Sequence, residues 1–156
     1  MGNKKYSKPN KPFDKFRIEE ENILKDRYGL KNKREIWKAD AAIVRIRNLA
    51  KKLITKSEEE KNAFVERLKK QGFNVSNIAD TLGLNKEDWL KRRLQTIIVS
   101  KKLATTPKQA RQFIIHKHVS IGGQTVNIPS YQVLLEEEPQ IRLNLALKIA
   151  EPNKSK

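Results

Sequence analysis

The stretch TPKQARQFIIHKHVSIGGQTVNIP, residues 106–129, carries two hydrophobic periods and the switch between them. Thr106-Pro107 is a helix start: the hydroxyl caps a free amide of the first turn, and proline sits where its missing N–H costs nothing. Ala110, Phe113 and Ile114 then fall at i, i+3 and i+4, which turns them toward a core, while Lys108, Arg111 and Gln112 share the opposite side. After His116-Lys117-His118 the period becomes two. Val119-Ser120-Ile121 and Gln124 to Ile128 flank Gly122-Gly123, a pair that tolerates the positive φ of a tight hairpin turn, and Pro129 stops the second strand. A helix running straight into a hairpin predicts a small α+β module with helices packed on one sheet.

Outward from this stretch, Tyr131 to Leu135 and the alternation Ile141, Leu143, Leu145, Leu147, Ile149 predict further strands. On the other side a helix is expected from Trp89 to about Lys102, with Leu90, Leu94, Ile97 and Ile98 on one face. Everything upstream reads as short and medium helices. The first starts near Phe13, carries Phe16, Ile23 and Leu24, and stops at Tyr28-Gly29-Leu30. Asn32 with Glu35 resembles a capping box for a long helix whose apolar face runs from Ile36 and Trp37 through Ile43, Val44, Ile46, Leu49, Ala50 and Leu53 to Ile54. Ser57 with Glu60 makes a second box for a helix ending at Gly72. Ser76 to Leu82 makes another, and Asn85 caps one with Glu87 and Asp88 in its first turn. Residues 1–12 form a basic, flexible tail, 13–88 a helical region, 89–138 the α+β module, and 139–156 a terminal strand and tail.

The charge has a layout. Lys and Arg number 34 against 18 Asp and Glu in 156 residues, a formal +16. Such a surplus repels itself and calls for phosphates, with a membrane surface the weaker alternative. Between Trp89 and Leu135 there is no acid at all, only Lys91, Arg92, Arg93, Lys101, Lys102, Lys108, Arg111 and Lys117; a face kept basic for solubility alone would intersperse acids. No apolar run reaches the roughly 18 residues of a membrane span, and the start lacks a signal peptide or a myristoylation motif, so a soluble intracellular protein is expected.

Catalysis finds no constellation to rest on. Phosphate-loop, dinucleotide-binding, zinc-protease and serine-hydrolase motifs are missing, and with no cysteine there are no disulfides or thiolate metal sites. His116 and His118 lack a nearby carboxylate to complete a metal site. No enzyme activity and no cofactor are expected. What remains is a surface for phosphate and base edges: Arg92, Arg93, Gln95, Lys101, Lys102, Thr106, Lys108, Gln109, Arg111, Gln112, His116, Lys117 and His118. Trp37 and Trp89 could stack on bases, but their apolar neighbours favour packing. A helix pair plus hairpin suits folded RNA better than the DNA major groove.

Three segments together resemble the RNA-binding module of the ribosomal protein S-four family: Arg92-Arg93-Leu94-Gln95-Thr96, Ala110-Arg111-Gln112 with Ile115-His116-Lys117-His118-Val119, and Val126-Asn127-Ile128-Pro129-Ser130-Tyr131. Tyr28 to Trp37, YGLKNKREIW, is similar to the N-terminal region of the archaeal and eukaryotic branch, so the resemblance spans about Phe13 to Leu135. It implies a structural protein of the small ribosomal subunit, in the cytoplasm, that binds small-subunit ribosomal RNA early in assembly. It also implies contact with neighbouring small-subunit proteins, a position near where messenger RNA enters, and an influence on decoding accuracy. The RNA face it implies comprises Arg92, Arg93, Thr106, Lys108, Arg111, Gln112, His116 and Lys117. The zinc-binding cysteines of some members are absent, and the short stretch after Ile149 favours an archaeal origin over eukaryotic relatives with longer C-terminal extensions. An assembly factor of the same build is the alternative, and an RNA-modifying enzyme is disfavoured because no catalytic domain fits in what remains.

Overall fold

The computed structural model describes residues 6–144. Among them the elements run α1 (Lys15–Arg27), α2 (Arg34–Leu53), α3 (Glu58–Lys70), α4 (Ile78–Leu82), α5 (Lys86–Lys91), α6 (Leu94–Ser100), α7 (Pro107–Ile115), β1 (Val119–Ile121), β2 (Gln124–Thr125), a 3-10 turn η1 (Glu138–Gln140) and β3 (Ile141–Leu143). The α+β class is as read from the sequence, with the helices first and the sheet last. Of the alternating residues after β3, Leu145, Leu147 and Ile149 lie outside the described residues.

The long helix α2 is the spine of the first half. Ile36, Ala39, Ile43 and Ala50 recur at three-, four- and seven-residue steps and are buried, and the alanines let neighbours approach closely. Leu24, Tyr28 and Leu30 pack with Ile36 and Ala39 against Leu90 of α5, while Ile43 meets Val65, Leu68, Phe73, Val75 and Leu84 from α3 and the turns around α4. Glu21 is buried on α1 and accepts from Trp37 Nε1 (2.9 Å) and Arg17 Nη1 (2.8 Å), with Lys33 Nζ at 3.5 Å. Burial alone would raise its carboxyl, but these hydrogen bonds and positive charges hold it below the ordinary range. The apolar stripe is narrower than its sequence suggests: Phe16, Ile23, Val44, Leu49 and Ile54 are exposed.

The second half has its own core. Leu94, Ile97 and Ile98 of α6, Ala110 and Ile114 of α7, Val119 and Ile121 of β1, with Val133 and Ile141, form one buried cluster, and Phe113 packs on it half-buried. The sheet order is β2-β1-β3, both pairs antiparallel, with Ile121 facing Gln124 and Ile141. Gly122 and Gly123 sit at φ 55° and 87°, the left-handed geometry of the expected hairpin turn.

Several local expectations are corrected. The helix expected from Trp89 to Lys102 is broken at Arg92-Arg93. There the backbone leaves the helix to bond a returning segment: Leu94 N–H donates to Tyr131 O (2.8 Å), Val133 N–H to Arg92 O (3.1 Å), and Arg93 pairs with Gln132. Tyr131 to Leu135, expected as a strand, makes only a single bridge, at Gln132, and Leu135 already belongs to the following turn. The cap of α2 is Lys33 rather than Asn32, and α4 begins at Ile78 rather than Ser76. Ser57, Asn85 and Thr106 cap their helices as expected. In the segment expected as a flexible tail, Tyr6 lies 6.3 Å from Trp37 between ring centres, and Arg17 Nη2 donates to the carbonyls of Lys11 and Pro12.

Four helices end in the same Schellman motif, in which the second residue past the cap reaches back across the last turn: Leu30 N–H to Lys25 O, Phe73 to Leu68, Leu103 to Ile98 and His118 to Phe113. The left-handed residue is Gly29 after α1 and Gly72 after α3, but Lys102 (φ 59°) after α6 and Lys117 (φ 63°) after α7. At Gly29 the second half also approaches closely: a Cβ there would lie 2.7 Å from Pro107 Cβ and 3.0 Å from Gln95 Nε2. Gly29→Ala is therefore expected to destabilise by at least 1–2 kcal/mol, the cost of left-handed φ alone, and by more where Pro107 cannot retreat. A denaturant midpoint equal to wild type would mean that this contact is not close in solution.

Candidate nucleic-acid interface

The thirteen residues proposed from the sequence separate into two groups once placed. Lys102, Thr106, Lys108, Gln112, His116 and Lys117 are exposed on α7 and on the turns after α6 and α7, with His118 half-buried beside them. The His116 and His118 rings stack at 6.2 Å between centres. No protein partner is found for the Lys102, Lys108 and Lys117 side chains among the described residues, so their charges face solvent. Thr106 spends its hydroxyl capping α7, accepting from Gln109 N–H (3.2 Å), and Gln109 Oε1 accepts from the Thr105 amide (2.9 Å) and hydroxyl (2.6 Å).

The other group faces inward, and this corrects the expected surface. Arg93 is 4% exposed and Gln95 1%. Gln95 Nε2 shares its two N–H groups among the carbonyls of Tyr28 (3.1 Å), Gly29 (3.0 Å) and Pro107 (2.9 Å), tying the end of α1 to the start of α7. Arg92 donates to Gln71 O (3.1 Å) and Val133 O (2.8 Å) and pairs with Glu138 at 3.0 Å. Lys101 Nζ donates to the Glu138 carbonyl. These side chains are what the interior of a basic protein needs to satisfy its carbonyls and acids.

Glu35 organises the junction. Its carboxylate accepts from Arg93 Nη2 (2.5 Å) and from both terminal nitrogens of Arg111 (3.1 and 3.3 Å), and also from Lys31 N–H (3.1 Å). Desolvation pushes its carboxyl up, but the two guanidinium groups outweigh it and hold the carboxyl below the usual range. Sequence spacing offered no sign of this role, because Glu35 lies 58 and 76 positions from its partners and its place at a helix start already had a local explanation. Trp89, read as packing, stacks on Phe73 at 6.0 Å.

The module carrying this face is an S4 domain: the family model of that name matches residues 92–138. Comparison with known proteins extends the match well beyond it. The chain is 45% identical over 145 residues to the small ribosomal subunit protein uS4 of Methanococcus aeolicus, covering 88% of this chain and 82% of that one. It is 42% identical over 157 residues to that of Nanoarchaeum equitans (96% and 87%), and 41% over 149 to that of Methanospirillum hungatei (88% and 82%). The chain belongs to the uS4 family of small ribosomal subunit proteins.

Two expectations follow. Glu35→Gln leaves two guanidinium groups without a counter-charge and should cost about 3 kcal/mol, the low end for orphaning a buried pair because Arg111 keeps some solvent access. Since the folded-state pKa of Glu35 is depressed, its stabilisation is full above the unfolded value of about 4.3 and is lost as pH falls through the folded one. The stability gap between wild type and Glu35→Gln, read from urea melts, should thus narrow progressively below about pH 4.3. The second concerns the left-handed lysines: Lys102→Gly and Lys117→Gly should each raise stability by up to about 1 kcal/mol while weakening RNA binding. A variant that gains stability with no loss of affinity would assign that lysine no part in the interface.

Proposed function

We propose that this chain is a structural constituent of the small ribosomal subunit and binds the small-subunit ribosomal RNA directly through the face formed by α7 and the turns after α6 and α7. The observation that carries the reading is the 40–45% identity to small-subunit uS4 proteins through both halves of the chain, helical region and S4 domain alike. The exposed chemistry suits it. Lys102, Lys108 and Lys117 are mobile point charges for phosphate oxygens, and Gln112, His116 and His118 add hydrogen bonds to sugar and base edges. Affinity would come largely from counterions released when these charges meet phosphates, and selectivity from the shape of folded RNA against a rigid helix and hairpin.

In this reading the protein joins the RNA early and helps nucleate the body of the subunit. It touches neighbouring small-subunit proteins near where messenger RNA enters, and it influences decoding accuracy. Its place is the ribosome in the cytoplasm; among the described residues no helix is long and apolar enough to cross a membrane.

Intact small subunits washed in high salt should retain the protein at about one copy each, whereas a transient assembly factor would be lost. On the purified chain, Lys102→Ala with Lys108→Ala should weaken rRNA binding at unchanged melting temperature and flatten the dependence of log K on log salt by roughly 0.7 to 0.9 per phosphate contact removed. An unaltered slope would take the turn after α6 and the first turn of α7 out of the interface.

A further inference from the structure

Between the start of α2 and the S4 domain lies a cleft of about 380 Å³, within the roughly 300–1,000 Å³ typical of small-ligand sites. Its accessible apolar surface is the half-buried rings of Trp89 and Tyr6, with Ala39 and Leu90 fully covered behind them. Toward solvent the lining is cationic and polar, with Arg34, Lys38 and the partly exposed Arg111, and with Ser130 exposed on the opposite lip. Glu35 is a single carboxylate among four cations. Lys38 Nζ sits 6.0 Å from the Tyr6 ring centre. Arg93, which also lines the cleft, is buried and spends a terminal nitrogen on Glu35, while its Nε–H has no acceptor among the described residues.

We propose that this cleft holds one unstacked nucleotide, its base against the Trp89 and Tyr6 rings and its phosphate at the mouth between Arg34, Lys38 and Arg111. The parts match the chemistry of such a ligand. Bases removed from a stack are held on aromatic and apolar surface, which single-stranded and looped RNA supplies with its splayed residues. The phosphate meets the exposed guanidinium of Arg34 and the Lys38 ammonium, while Arg111, its fork held by Glu35, adds a fixed positive charge at no further loss of side-chain freedom. Tyr6 contributes from the N-terminal segment, which therefore forms one wall of the site. Within the ribosomal reading, on which the source of the ligand rests, the nucleotide belongs to a loop or bulge of the rRNA. The pocket itself would accept a free mononucleotide more weakly.

Ser130→Phe tests this without removing a charge, by placing a ring across the exposed lip. The expected result on the full chain is an unchanged melting temperature, an rRNA Kd raised roughly tenfold or more, the range that losing one stacked base produces, and an unchanged salt slope. Amide shifts at Ala39, Leu90 and Arg111 on titrating wild type with adenosine and uridine 5′-monophosphates provide a second measurement, with inorganic phosphate as comparison. Nucleotides should shift these amides where phosphate at equal concentration does not, and Ser130→Phe should abolish the response. Wild-type affinity of Ser130→Phe for rRNA removes the rRNA nucleotide from the cleft. Identical shifts with phosphate alone remove the base. If wild type bound mononucleotides in the cleft but not rRNA, the ribosomal reading would fail and the pocket would stand.

Discussion

A single carboxylate holds the two halves of this protein in register. Glu35 is on the first turn of α2, Arg93 caps α6 and Arg111 is on the middle of α7, so one side chain from the helical region fixes the direction in which both S4-domain helices leave the junction. Two guanidinium groups close together would repel each other and would be costly to bury. With Glu35 between them, each keeps a counter-charge and a hydrogen bond. Gln95 and Gly29 reinforce the joint nearby, and Arg92 ties its far side to the turn after α3 and to η1. The helical region and the S4 domain are thus tied by ion pairs and hydrogen bonds, while each keeps its own buried apolar clusters.

This constraint sorts the basic residues. Inside an acid-free segment, Arg92 and Arg93 find their acids on other elements, Glu138 and Glu35, and become part of the fold. Lysines at 102, 108 and 117 find none among the described residues. The formal +16 is therefore not one uniform field. Arginines, whose planar forks suit several carbonyls and a carboxylate at once, are paired with acids inside the fold, and the exposed bases on this face are largely lysine. Helix ends follow the same division. The left-handed position is glycine after α1 and α3, where Pro107 and Arg92 leave no room for a Cβ, and lysine after α6 and α7, where the side chain is exposed.

Local chemistry was legible in the sequence. The Thr106-Pro107 start, the Asn85 cap and the Gly122-Gly123 turn each depend on neighbours within a few residues, and each stands as read. The break at Arg92-Arg93 was not legible, because the segment has helical periodicity throughout and is opened by backbone bonds from Tyr131 and Val133, some forty residues away. Gln95 illustrates the limit for the site. As a glutamine in a basic stretch it reads as a base-edge contact, yet three carbonyls brought together by the fold leave it no freedom to face outward. Residue type says what chemistry a side chain can offer, while the direction each side chain faces depends on contacts that no spacing reveals.

The placement of the two tryptophans has a spectroscopic consequence. Trp37 is on α2 beside Glu21, and Trp89 on α5 is stacked on Phe73, so both indoles are on the helical side of the joint, while residues 92–138 contain none. Tryptophan fluorescence, excited selectively so that Tyr131 does not contribute, consequently reports on the helical side, whereas far-ultraviolet circular dichroism sees both halves. Any separation between the two melting curves measures how strongly the halves unfold together, which makes the native chain its own gauge of the coupling through Glu35.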